Sequence, residues 1–293
     1  MKLSVIIPCF NAADTIACQL DALAKQRWAE PWEVILADNG SKDKSVAVAN
    51  SFVGKVPSLR ILDASARKGA PYAMNLAASM ARGEYLAICD ADDEVAPGWV
   101  AAMGKALDSY ECVASRFEFA RLNPFLTPQS MIMKHPQTIG LVKLWYPPYA
   151  VFAGSCGLGV RKSLHVRLGG FDESFFVVYD ADYCVRMQLA GARLTFAADA
   201  LVHIRCRASA EASFSQLCSW GEYNALLYKR YRPVGLKEMH RWKSHARGWV
   251  DLVRSLPSCH KAGARLEWVK RLGWQVGILK GSLKHMVPPV PMP

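Results

Sequence analysis

The sequence predicts an α/β fold with an open, mostly parallel sheet, followed by a basic helical extension. Three observations support this. Short apolar segments alternate with segments of helical periodicity through the first ninety residues. Polar residues follow directly after several of the apolar segments. Residues 1–204 contain 20 basic and 20 acidic residues, whereas residues 205–293 contain 16 basic and 5 acidic residues and so carry the whole net charge of +11.

The predicted elements alternate in the order expected for such a sheet. We expect strands at 3–7, 33–37, 59–62 and 85–89, and helices at 13–25, 44–52 and 70–81. Pro8 and Asn11 interrupt the first apolar run too early for a secretory signal, so we interpret this run as a strand. The longest uncharged stretch, 144–160, contains adjacent prolines, and we expect no membrane-spanning helix.

Carboxylates crowd the end of the fourth predicted strand. Asp90, Asp92 and Asp93 follow it within four positions. Unpaired carboxylates repel one another, so the cluster suits a divalent cation bound to a diphosphate. The alternative is a solvated acidic turn. Asp38 and Arg67 also follow strands, and carboxyl ends of parallel strands share one rim of the sheet.

Five segments resemble, in the same order, those of the family 2 glycosyltransferases, which have the GT-A fold. They are 4–11, 34–43, 67–69 with 73–75, 83–93, and 169–173 with 180–182 and Arg186. The resemblance covers roughly residues 3–205. It implies a GT-A catalytic domain at 1–204, with a nucleotide-sugar half at about 1–110 and an acceptor half at about 111–204. Residues 205–293 form the helical extension.

The resemblance implies a nucleotide-sugar site formed by Pro8, Phe10, Asn11, Asp38, Arg67, Lys68, Asn75, Asp90 and Ala91. In this family Asp38 would bind the uracil or ribose, and a carboxylate suits the imide N–H of the base. Asp38 is alternatively a turn-capping residue, and Arg67 and Lys68 are alternatively solvated surface residues.

The metal site implied by the resemblance contains Asp92 and His203. Hard oxygen ligands and a diphosphate suit Mn²⁺ or Mg²⁺. The cation would stabilise negative charge on the departing nucleoside diphosphate. His203 follows an apolar segment and is alternatively a buried core residue.

Asp180 occupies the family position of the catalytic base, which takes the acceptor's proton during inverting transfer. Tyr179 departs from the family, which has Glu before this aspartate. Asp182 is the substitute base, but residues two apart on a helix point in different directions, so we expect only one to face the site. The alternative is a helix N-terminal carboxylate stabilised by the dipole. Gly170 and Trp145 are expected on the acceptor side, although most aromatic residues are core.

The C-terminal extension has apolar residues at helical spacing between 236 and 283, among many Lys and Arg residues. Such helices either lie on an anionic membrane surface, through residues 236–284, or pack on the catalytic domain with a solvated basic face. Nucleic-acid binding is not expected, because the aromatic residues follow the apolar stripe.

We therefore expect an inverting, metal-dependent glycosyltransferase that uses a UDP- or dTDP-sugar and a hydroxyl on a glycan or lipid-linked glycan. The nine cysteines include no CxxC pair and suggest reduced thiols in a cytoplasmic protein, either free or peripheral at the inner face of the plasma membrane. A polyprenyl-phosphate glycosyl synthase is the alternative within the fold. A non-catalytic scaffold that binds sugar nucleotides or membranes is the alternative outside enzymes, suggested by Tyr179.

Overall fold

The structure, a computed structural model, describes residues 1–126, 131–144, 150–234, 242–257 and 262–289. The strands in these residues are β1 Leu3–Cys9, β2 Trp32–Asp38, β3 Leu59–Asp63, β4 Tyr85–Ile88, β5 Glu94–Val95, β6 Cys112–Glu118, β7 Val142–Lys143, β8 Val151–Phe152, β9 Leu158–Arg161 and β10 Leu194–His203. The α-helices are α1 Ile16–Ala24, α2 Ser45–Asn50, α3 Ala70–Met80, α4 Trp99–Ser109, α5 Lys162–Arg167, α6 Tyr179–Leu189, α7 Ala210–Tyr231, α8 Trp242–Ser255 and α9 Ala262–His285. Short 3-10 helices lie at Met131–Lys134, Pro136–Thr138 and Arg232–Val234.

Eight strands form one sheet in the order β3-β2-β1-β4-β9-β6-β10-β5. β1 to β4 are parallel to one another, β9 runs antiparallel between β4 and β6, β6 is parallel to β10, and β5 is antiparallel to β10. The residues of β1, β2 and β4 are almost all buried, as expected when helices cover both faces of a parallel sheet. The predicted α/β class is confirmed, and each of the seven predicted elements is present with ends shifted by at most three residues.

The carboxyl ends of the parallel strands lie at one rim of this sheet. Cys9 at the end of β1 pairs with Asp38 at the end of β2, and Asp38 pairs with Asp63 at the end of β3. On the other side of β1, the last paired residue of β4 is Ile88. The loops that follow these strands therefore start side by side.

The chain divides into two compact units. The first contains 1–122, 136–142 and 151–205, and the second contains 123–135, 143–150 and 206–293. The division after 205 lies one residue from the predicted domain boundary. The segments 123–135 and 143–150 fall in the second unit, whereas the predicted acceptor half at about 111–204 includes them.

In the second unit, α7 and α9 pack backbone against backbone. A Cβ on Gly277 would lie 2.1 Å from the carbonyl oxygen of Cys218, and one on Gly281 would lie 2.5 Å from that of Glu222. Only residues without a side chain allow this approach. Trp274 and Ile278 are also buried on this face of α9.

Charged side chains join the same two helices. Glu222 of α7 is buried and pairs with Lys280 and Lys284 of α9, each at 2.7 Å.

Among the described residues, no helix has both the length and the apolar character needed to cross a membrane.

Candidate active site

Two loops at the rim are held together by side-chain to backbone hydrogen bonds. The carboxylate of Asp38 accepts from the N–H groups of Gly40 and Ser41 at 3.2 to 3.3 Å. Asn11, which has φ +49°, accepts from the Lys42 N–H at 2.8 Å, and its own N–H donates to Ser41 Oγ at 2.9 Å. Asp38 therefore caps the turn after β2, which is the alternative role considered above for this residue. It also lies at the rim of the sheet, where a nucleotide would bind if the predicted site is correct.

The neighbouring loop before α3 is tied to the same turn. Asn39 donates to the carbonyl oxygens of Ala64 and Arg67 at 2.6 and 2.7 Å, and its side-chain oxygen accepts from Gly69 N–H at 2.8 Å. The predicted nucleotide residues differ in exposure: Phe10, Arg67 and Lys68 are exposed, whereas Pro8 is half-buried and Ala91 is buried.

Asn75 is fully used in holding a second loop. Its amide donates to the carbonyl of Phe171 and to Glu173, and its oxygen accepts from the Phe171 N–H at 2.8 Å. Arg67 pairs with the same Glu173 at 3.1 Å. A Cβ on Gly170, which has φ +76°, would lie 2.6 Å from the Asn75 oxygen. Asn75 and Gly170 thus have structural roles, and their predicted nucleotide and acceptor contacts stay predictions.

The acidic motif continues directly from β4. Asp90 and Asp92 are half-buried, and Asp93 is buried. Asp93 accepts from the Arg205 N–H at 2.8 Å, and Arg205 Nε donates to the Asp92 carbonyl at 2.8 Å. Burial, followed by the charges of Asp90 and Asp92, raises the pKa of Asp93 well above its usual value.

This electrostatic crowding suits a divalent cation, because added positive charge would relieve it. Ligand atoms of Asp90, Asp93 and Cys156 lie within 4.8 Å of one another, and this is the one such group in the described part of the chain. Burial raises the pKa of the Cys156 thiol well above its usual value, and a protonated thiol is a poor ligand for Mn²⁺ or Mg²⁺. The carboxylates are therefore the groups that fit the cation.

Asp180 lies in the first turn of α6. The preceding Val178 has φ +63°, an uncommon conformation for a β-branched residue. Burial raises the pKa of the Asp180 carboxyl to about 6, although backbone hydrogen bonds from Ala181 and Ser155 act in the opposite direction. The Tyr179 hydroxyl lies 3.2 Å from Ser155 Oγ, so Ser155 contacts both residues.

The acidic motif and Asp180 belong to one neighbourhood. After burial, the charges of Asp90, Asp93, Asp180 and Asp92 all raise the pKa of Cys156. Tyr179 likewise has a raised pKa because of burial and then of Asp90 and Asp180. The loop containing Ser155 and Cys156 therefore lies between the two sets of carboxylates.

Asp182 is not placed to contact an acceptor. It has no exposed surface, and its carboxylate accepts from Arg186 Nε at 2.8 Å. Arg186 also donates to the carbonyl oxygens of Leu168 and Gly170 at 2.9 and 2.8 Å. This correction follows from the helical geometry that turns Asp182 inward while Asp180 stays half-buried.

His203 ends β10 and is buried, with Nδ1 2.7 Å from a carboxylate oxygen of Glu118 on the adjacent strand. Neither His203 nor Asp92 belongs to the potential ligand group found in the described residues, so their role as metal ligands stays a prediction. Trp145 lies outside the described residues.

Comparison with known proteins identifies the family. The family model described as Glycosyl transferase family 2 matches residues 4–168, more than half of the chain. The chain belongs to glycosyl transferase family 2. The match ends before α6, so it covers the acidic motif but not Asp180.

Relatives of this family 2 chain are similar over about a third of its length. An uncharacterized glycosyltransferase, YibD of Escherichia coli, is 42% identical over 96 residues, which are 33% of this chain and 27% of that protein. The poly(ribitol-phosphate) beta-glucosyltransferase of Bacillus spizizenii is 34% identical over 97 residues, 32% of this chain and 15% of that protein. The aligned part thus spans about a quarter or less of these two relatives.

Solved structures resemble the family 2 chain over almost its whole length. Mannosyltransferase PcManGT from Pyrobaculum calidifontis, in complex with GDP-Man and Mn²⁺, has a TM-score of 0.67 at 17% identity and covers 97% of this chain and 87% of that chain. TarS 1-349 of S. aureus, in complex with UDP-GlcNAc, has a TM-score of 0.57 at 16% identity and covers 98% and 93%. The likeness confirms the predicted GT-A fold.

Several contacts around the site were not predicted from the sequence. The Ser155–Tyr179 pair, the Arg205 contacts to the acidic motif and the Glu118–His203 pair join residues far apart in the chain. Only Tyr179 gave a local signal, because it departs from the Glu expected in the family.

Proposed function

We propose that the chain transfers a sugar from a nucleotide-diphosphate donor to a hydroxyl of a glycan or lipid-linked glycan, with inversion and with Mn²⁺ or Mg²⁺ as cofactor. One observation carries the proposal. Ligand atoms of Asp90 and Asp93 lie within 4.8 Å of the Cys156 thiol, and the adjacent Ser155 donates its backbone N–H to the Asp180 carboxylate, so one loop of this unit contacts both the acidic motif and Asp180. A donor site and a base on the acceptor side need such proximity.

The rim after β1 and β2 suits the nucleotide. Phe10 is 60% exposed beside the turn formed by Asp38 and offers an aromatic face on which a base can stack. The similar structures are complexes with UDP-GlcNAc and with GDP-Man, so uridine and guanosine donors both belong in the first test.

Asp92, together with Asp90 and Asp93, whose ligand atoms lie within 4.8 Å of each other, would hold the cation. When bound, Mn²⁺ or Mg²⁺ supplies positive charge that stabilises the diphosphate as its bond to the sugar breaks. Arg205 orients the motif through the Asp92 carbonyl and the Asp93 carboxylate.

Asp180 would act as the base. Its carboxylate takes the proton of the acceptor hydroxyl while that oxygen bonds to the anomeric carbon and the nucleoside diphosphate leaves from the opposite face. A pKa of about 6 keeps most of the carboxyl ionised at neutral pH and leaves it a stronger base than an exposed aspartate. The Ala181 N–H, 2.8 Å from the carboxylate, limits its rotation.

The test is a thermal-shift panel of UDP-, dTDP- and GDP-sugars with and without Mn²⁺, followed by measurement of sugar release and transfer. A ligand that binds only the native state raises stability by mass action. We expect one nucleotide class to stabilise the wild type in a Mn²⁺-dependent way, and Asp92→Asn to abolish this dependence. Asp199→Asn is the matched control, since Asp199 is exposed on β10.

A metal-dependent shift without release or transfer of the sugar, with glycan and lipid-linked acceptors supplied, would favour the non-catalytic scaffold. Equal stabilisation of wild type and Asp92→Asn would contradict the assigned metal site.

A further inference from the structure

The second unit exposes a row of large apolar side chains at the end of α9. Leu279, Leu283 and Met286 are 38%, 80% and 84% exposed. Leu279 and Leu283, four residues apart, lie on one face of α9, and Met286 follows in the turn just beyond the last helical residue, His285, with φ +53°. We call these three residues the α9 row. Neighbouring apolar side chains this open indicate an interaction surface.

The row cannot turn inward, because the opposite face of α9 is already used. Gly277 and Gly281 lie against the backbone of α7, and Trp274 and Ile278 are buried. Rotating the helix to bury the row would force large side chains into a contact that admits only glycine.

A second exposed apolar face lies on α8, which packs against α9 through a hydrogen bond from Trp268 Nε1 to the Leu252 carbonyl at 2.9 Å. Leu252 is buried, whereas Val250 and Val253 on the far side of α8 are 47% and 70% exposed. Arg247 and Arg254 are exposed on the same side of this helix.

The charge distribution decides which partner fits. Residues 205–293 have 16 basic and 5 acidic residues. Beside the α9 row, Lys280 and Lys284 share one carboxylate, Glu222, so one positive charge remains. A second copy would bring like charges together, whereas an anionic lipid surface complements both the basic and the apolar residues.

We infer that the α9 row, with Val250 and Val253, inserts into the interface of an anionic membrane, with the neighbouring Lys and Arg side chains at the phosphate headgroups. The inference does not depend on the proposed sugar transfer.

The test is co-sedimentation of the full chain with vesicles of phosphatidylcholine alone or of phosphatidylcholine with phosphatidylglycerol. We expect binding to the anionic vesicles, weakened by salt, and at least about tenfold weaker binding to the neutral ones. The double variant Leu283→Glu with Met286→Glu should lower the affinity for anionic vesicles by at least about tenfold, since each side chain loses the transfer of apolar surface from water.

Circular dichroism of the variant should match that of the wild type, because both side chains are exposed. Val166→Glu is the matched control: Val166 is 67% exposed on α5, in the first unit, and its replacement should leave vesicle binding unchanged. Val253→Glu tests the same surface from α8 if the double variant does not fold.

Equal binding to both vesicle types, no binding, or unchanged binding of the folded variants would overturn the inference. Light scattering adds a separate outcome. A wild-type dimer that the double variant converts to monomer, without vesicle binding by either, would identify a second copy as the occupant and also overturn it.

Discussion

Replacement of Asp180 by Asn tests the proposed base directly. The variant keeps the shape of the side chain and its place in the first turn of α6 but cannot accept the proton of an acceptor hydroxyl. General base catalysis typically contributes about 10²- to 10⁴-fold, so we expect the transfer rate to fall by that factor. The affinity for the nucleotide sugar should change little, because Asp180 is assigned to the acceptor side.

The pH dependence of the wild type follows from the raised pKa. With a pKa of about 6 for Asp180, about a tenth of the carboxyl groups are ionised at pH 5 and about nine tenths at pH 7. Because the base must be ionised, kcat/KM should rise about tenfold between these pH values. An aspartate at its ordinary value of 3.8 would change the rate by less than about a tenth over the same range.

The free energy of unfolding of Asp180→Asn shows whether the variant is folded. The folded state holds the Asp180 proton more tightly than the unfolded chain, so between about pH 4 and pH 6 stability falls as pH rises. Asn removes this cost, and the free energy of unfolding at pH 7 should increase by about 1 to 3 kcal/mol, the lower end reflecting solvent access to the half-buried side chain.

The assay is initial-rate transfer from the donor found in the thermal-shift panel, measured between pH 5 and pH 8 for wild type, Asp180→Asn and Asp199→Asn, with urea unfolding at pH 7. A folded Asp180→Asn variant with near-normal turnover would refute the assignment of the base. That result would favour a polyprenyl-phosphate acceptor, which is ionised already and needs no base.

Three further predictions concern the residue before Asp180, a buried carboxylate of the sheet, and the backbone contact between α7 and α9. Tyr179→Glu adds a like charge beside Asp180, so the rise of kcat/KM with pH should move to higher pH. An unchanged pH profile would show that the charge at residue 179 does not influence the pKa of Asp180. Glu33 is buried and accepts hydrogen bonds from three donors, so Glu33→Ala should lower the free energy of unfolding by about 3 to 5 kcal/mol in urea titrations. Because the pKa of Glu33 is lowered in spite of burial, the stabilisation that Glu33 provides should disappear as the pH falls below about 4.5. Gly277→Val should lower the free energy of unfolding by at least about 1 to 3 kcal/mol. For the control Gly140→Ala, no atom lies within 4 Å of the new Cβ, so its free energy of unfolding should stay within about 0.5 kcal/mol of the wild type. Equal effects of the two variants would contradict the backbone contact between α7 and α9.

The first four strands and three helices could be predicted from the sequence, because each has a local pattern of apolar residues and ends at a turn-forming residue. The rim followed from the same patterns, because Asp38 ends β2 and because Asn11 and Asp90 lie two residues after the ends of β1 and β4. The family motifs then indicated the acidic motif and Asp180. These assignments depend on short segments of chain, in which sequence spacing determines which side chains are neighbours.

The partners of those residues could not be predicted, because they come from distant parts of the chain. Arg205 reaches the acidic motif across more than a hundred positions, and Asn75 closes on the loop at Phe171. Asp182 differs from Asp180 in the direction its side chain takes from α6, which the helical geometry sets and the ion pair with Arg186 stabilises. A motif identifies polar residues, but the packing of the unit decides whether they face a ligand or each other.

The apolar pattern of the C-terminal extension left its buried face open, and the packing of α9 supplies a physical reason that also supports the membrane inference. A hydropathy pattern identifies the buried face of a helix only when side chains make the contact. In α9 the contact with α7 is made by backbone, through Gly277 and Gly281, which a hydropathy pattern scarcely registers. Leu279 and Leu283 lie on the other side, and Leu283 and Met286 gain almost no burial when the chain folds. Their transfer free energy therefore remains available to an external apolar phase, and the anionic membrane interface is the phase that the surrounding charge favours.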